Sequence, residues 1–85
     1  MSDGRPAPEV AAYVERLEAM LRPVAERAAP EHATQTLIHL LKLQAWSHEQ
    51  CAGFARSEEK PDETRVWLMC ARAIRARVIE LHRST

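Results

Sequence analysis

Hydrophobic positions fall into three periodic runs, separated by the proline-bearing polar stretches "AAPEH" and "SEEKPDE". In the first run Val10, Val14, Leu17, Leu21, Val24 and Ala28 recur at alternating spacings of four and three. That spacing predicts a helix over about 8–28 with one heptad-type seam. Glu15, Glu18, Arg22 and Glu26 fall on the far side, read as a solvated face with an i,i+4 ion pair between Glu18 and Arg22. The second run predicts a helix over about 31–57. One arc of it carries Leu37, Leu41, Gln44, His48, Cys51, Ala52 and Ala55, while Leu40, Leu43, Trp46 and Phe54 extend the apolar surface toward the other side. An apolar arc wider than one seam needs more than one neighbour. The third run, about 62–83, turns Trp67, Cys70, Ala71, Ile74, Val78 and Leu81 inward, with Val66, Met69 and Ala73 at the margin. Pro8 and Pro30 suit first helical positions, where a missing N–H costs nothing, and Asp62 reads as the N-cap of the third helix.

These runs predict an all-α protein of three helices, the second and third forming a long antiparallel hairpin. Residues 1–7 are read as a disordered N-terminal tail and 8–85 as a single helical domain. At 1.5 Å per residue the second helix extends roughly 40 Å, whereas a compact chain of this length has a radius of gyration of only about 12 Å. The molecule is therefore expected to be elongated, or half of a bundle completed by dimerisation. A turn centred near residues 60 and 61 places Cys51 level with Cys70, Phe54 with Trp67 and His39 with His82.

Composition narrows the picture by exclusion. Aromatics make up 5% against 46% hydrophobic residues, so the core must be built from Ala, Leu, Val and Ile. Lys plus Arg and Asp plus Glu number 12 each, which gives net charge no role in binding a polyanion. "MSDGRPAPEV" has no apolar run of secretory type and nothing approaches a membrane span. A cytoplasmic location is expected, with Cys51 and Cys70 as thiols.

Candidate chemistry centres on "AWSHEQC", residues 45–51. "HEQCA" opens like the zinc-protease H-E-x-x-H, but Ala52 stands where the second histidine must be. His48 lies one turn before Cys51 on the same face, so His48, Cys51 and Cys70 could converge across the hairpin. Two thiolates and an imidazole suit Zn²⁺ or Cu⁺, giving a metal-binding or thiol-sensing alternative to a plain buried cluster. Two glycines, Gly4 and Gly53, exclude a glycine-rich phosphate loop. No catalytic motif emerges. Arg65, Arg72 and Arg83 line one side of the third helix with Arg75 nearby. Such a basic stripe suits phosphate or carboxylate, but Asp62 and Glu80 border it and no aromatic interleaves, so nucleic acid ranks third. Trp46 lies roughly 180° from Leu37 and Ala55 on the helical wheel. Leu43, Trp46, Gln50 and Phe54 thus form a stripe spaced to meet another helix, unless the first helix covers it. The leading expectation is a non-catalytic interaction or assembly module without a cofactor, partnered by itself or by another protein.

Overall fold

A computed structural model describes residues 6–85 as three α-helices, with no strand among them. The segment read as a disordered tail falls mostly outside the described residues. Helix α1 spans Pro8–Ala28, α2 Ala33–Ser57 and α3 Pro61–Arg83. The α2–α3 hairpin is the most closely packed pair, and α1 lies along it, more intimately against α2 than against α3. His39 and His82, expected at one level, line the same small cleft at the open end of the hairpin.

The helix ends follow local chemistry, with two departures from expectation. Pro30 opens not α2 but a single 3₁₀ turn, Pro30–His32, from which α2 continues. Asp62 is not the N-cap of α3: Lys60 holds that position, Pro61 is the first helical residue, and the Asp62 carboxylate instead meets Arg65 at 3.3 Å. The hairpin turn is closed by Glu59 in the left-handed region, φ 58°. Around it the Lys60 N–H donates to the Ala55 carbonyl at 2.9 Å and the Glu59 N–H to the Arg56 carbonyl at 3.0 Å. This pair of bonds satisfies carbonyls that the end of α2 would otherwise leave unpaired, and a proline follows directly because the helix cannot continue.

The core is thin and built from small side chains. Leu37, Leu41 and Ile74 are its largest fully buried members, joined by Ile38, Val78, Leu81 and several alanines. The seam of α1 departs from a strict heptad at its C-terminal end. Val24 and Ala28 are exposed, and Ala25 is the buried residue. A straight helix repeats every 3.6 residues rather than 3.5, so a strict heptad seam drifts by about 20° per heptad, and three full turns on from Val14 fall at Ala25 rather than Val24. Glu18 also departs from expectation: it does not lie on a solvated face but is covered by α3 and retains only 15% side-chain exposure. No helix among the described residues is long and apolar enough to cross a membrane.

Candidate functional site

The first group of side chains centres on His48, buried in α2. Its Nδ1 lies 2.6 Å from the Gln44 carbonyl one turn earlier. A carbonyl only accepts, so Nδ1 carries the proton, and in the neutral ring Nε2 accepts from the Tyr13 hydroxyl of α1, 2.5 Å away. Trp67 of α3 meets the imidazole edge-on at a centroid distance of 5.2 Å. One residue from each helix therefore meets at this ring. Trp67, expected to be buried, stays about one-third exposed because it covers the imidazole from the rim.

The cysteines are half-buried free thiols. Burial pushes the Cys70 thiol up. Burial, and after it the neighbouring Cys70 sulfur, does the same to the Tyr13 phenol. Among the described residues no three His, Cys, Asp or Glu side chains group as ligands for a metal ion. A metal at His48, Cys51 and Cys70 would have to displace the Tyr13 hydroxyl from Nε2 and take the proton from Cys70. Tyr13 is the residue that sequence reasoning missed. The signal for it is that the chain's one tyrosine flanks the α1 seam, where its hydroxyl can reach a buried polar group.

A second polar group lies between α1 and α3. Glu18 accepts from Arg77 at 2.6 and 3.1 Å and from Arg22 at 2.9 Å. Hydrogen bonds from Arg77, opposed by burial and reinforced by Arg22, hold its carboxyl below the ordinary range. These side chains wall an open groove of about 760 Å³ floored by Val14 and Ala73. Its buried carboxylate is already matched by two guanidinium groups, so the groove presents no unmatched charge at that point.

The basic stripe is divided by acids. Arg75 grips Glu49 of α2 with two bonds of 2.7 and 2.8 Å, and Arg65 meets Asp62. Arg72 and Arg83 are exposed.

The stripe Leu43, Trp46, Gln50 and Phe54 lies on the outer face of α2, and α1 does not cover it. Leu43 is 51%, Trp46 57% and Phe54 71% exposed, and Gln50 is exposed as well. The inward arc of α2 runs through Leu37, Leu41, His48 and Ala52, almost diametrically opposite. Exposed Val66 and Met69 on α3, with Met20 on α1, are further large apolar side chains open to solvent.

Compared with known proteins, the chain matches no protein family, no curated protein and no solved structure.

Proposed function

We propose that this protein is a non-catalytic helical interaction module whose working surface is the outer face of α2. The observation that carries this reading is the exposure of Leu43, Trp46 and Phe54 together on one helix face. The charges near that face are occupied elsewhere or stand at its ends, since Glu49 turns to Arg75. Contiguous apolar surface rimmed by polar groups is the usual mark of a protein contact, and tryptophan is among the residues that dominate such contacts. Leu43, Trp46 and Phe54 act as anchors, and the partner is this chain itself or another protein.

A photoreactive amino acid at position 46, incorporated in cells that produce the protein, tests the reading. Specific protein adducts are expected at position 46 and not at position 72 on the outer face of α3. Equal or no labelling at the two positions sinks it.

A further inference from the structure

Beyond the α2 face, we infer that the groove between α1 and α3 is a second docking surface, whose occupant is a basic amphipathic helix of another protein. No residue of α2 lines this groove, so it is separate from the face formed by Leu43, Trp46 and Phe54. Because α1 packs more closely on α2 than on α3, α1 and α3 stand apart and the fourth corner of a helical bundle is left open. The floor there is Val14 and Ala73, with Ala19 and Ala76 on the slopes. Side chains that end at Cβ let a further helix approach closely, toward the short end of the usual separation of about 8–10 Å between axes.

Charge selects the occupant. Four carboxylates and two guanidinium groups line the groove, although the whole chain carries 12 acids and 12 bases. Both guanidinium groups, Arg22 and Arg77, are turned onto Glu18. Glu15, Glu26 and Glu80 are exposed along the rim, and none of them makes an ion pair among the described residues. The Glu18–Arg77 bond joins positions 59 apart, and Val14 and Ala73 share the floor at the same separation. The helices α1 and α3 therefore run parallel, and Glu80 lies level with Leu21. That sets it between Glu15 and Glu26 but on the opposite wall, about 9 Å along from the first and about 7.5 Å from the second. A helix lying in the groove meets this staggered array with cations at i and i+11, about three turns apart on the flank that faces α1. A third cation at i+5 or i+6 is turned by about 120–140° toward α3. Each rim acid then gains an opposite charge on binding. The same acids repel nucleic acid and anionic lipid.

Calorimetric titration of the full chain with a synthetic helical peptide tests this. The probe is an amidated alanine–leucine helix of about 18 residues with lysine at i, i+5 and i+11, and the control is its isomer with lysine at i, i+4 and i+8, all on one flank. The probe is expected to bind about fivefold more tightly than the isomer and to weaken as salt rises. Glu15→Gln and Glu80→Gln should each weaken it about threefold, within the range of exposed ion pairs. Ala76→Trp fills the groove and should weaken it by about tenfold or more. These positions are exposed, so helicity followed by circular dichroism should not change. No binding, equal binding of the two peptides, or a probe indifferent to Ala76→Trp and to both glutamine variants overturns the inference. None of these outcomes bears on the α2 face, which labelling at position 46 tests by itself.

Discussion

His48 engages both ring nitrogens inside the chain, and this explains a histidine in an interior whose other buried side chains, Thr64 apart, are aliphatic. The Gln44 carbonyl sets the tautomer, and the tautomer makes Nε2 an acceptor for the only tyrosine in the sequence. A buried acceptor that loses its donor keeps its desolvation cost without compensation. Tyr13→Phe keeps the ring packing and removes the hydroxyl alone. It should destabilise the fold by about 1–2 kcal/mol, lowering the melting temperature by several degrees in a domain of this size. Thermal unfolding measures this directly, and an unchanged midpoint would mean that the hydroxyl contributes nothing at His48. Cys70 lies near Tyr13, and both it and Cys51 are half-buried free thiols. Burial favours the protonated form of Cys70, opposite to what a thiolate ligand or nucleophile requires.

Between elements, apolar packing joins all three helices, the Arg75–Glu49 pair adds a polar tie across the hairpin, and a charge cluster at Glu18 ties α1 to α3. The shift at Glu18 has a sign that can be followed. Its folded pKa is depressed, so its stabilising contribution is present above the ordinary carboxylate pKa and is lost as pH falls through the folded value. Glu18→Gln should therefore cost about 1–2 kcal/mol at neutral pH, toward the low end because Arg22 and Arg77 remain partly hydrated. The melting temperatures of variant and wild type should converge in acid; a gap independent of pH would assign the loss to packing. Glu18 also marks the boundary of what the sequence discloses. The three helices are legible because proline placement and apolar spacing are local properties of the chain. The Glu18–Arg22 pair is legible for the same reason, being one turn of one helix. Arg77 lies 59 residues away, and nothing local says that α3 will pack on that flank of α1. The same limit hides Tyr13, whose partner is on another helix. It does not hide Trp46, because its opposition to Leu37 and Ala55 is set within α2 alone.

The molecule as a whole measures 44 × 29 × 18 Å, with a radius of gyration of 13.9 Å. That exceeds the roughly 12 Å of a compact chain of 85 residues. It is a slab, and α2 shows one face to its neighbours and the other to solvent. A slab this thin cannot bury a helix all round, so an apolar outer face finds no cover within the protomer. Trp46 thus adds little to the stability of a single copy, and truncating it there should change the unfolding free energy by no more than about 0.5 kcal/mol, as for other exposed positions. Association changes the outcome by mass action, because whatever binds only the folded state raises its apparent stability with concentration. Where the partner of the α2 face is a second copy of the chain, the melting temperature of the wild-type chain should climb as the protein is concentrated. That of Trp46→Ala should stay level and meet the wild-type value at high dilution. A Trp46→Ala variant less stable at every concentration by the same margin would instead place the indole in the protomer's own packing. Two superimposable, concentration-independent series would leave the α2 face with no self-association to explain.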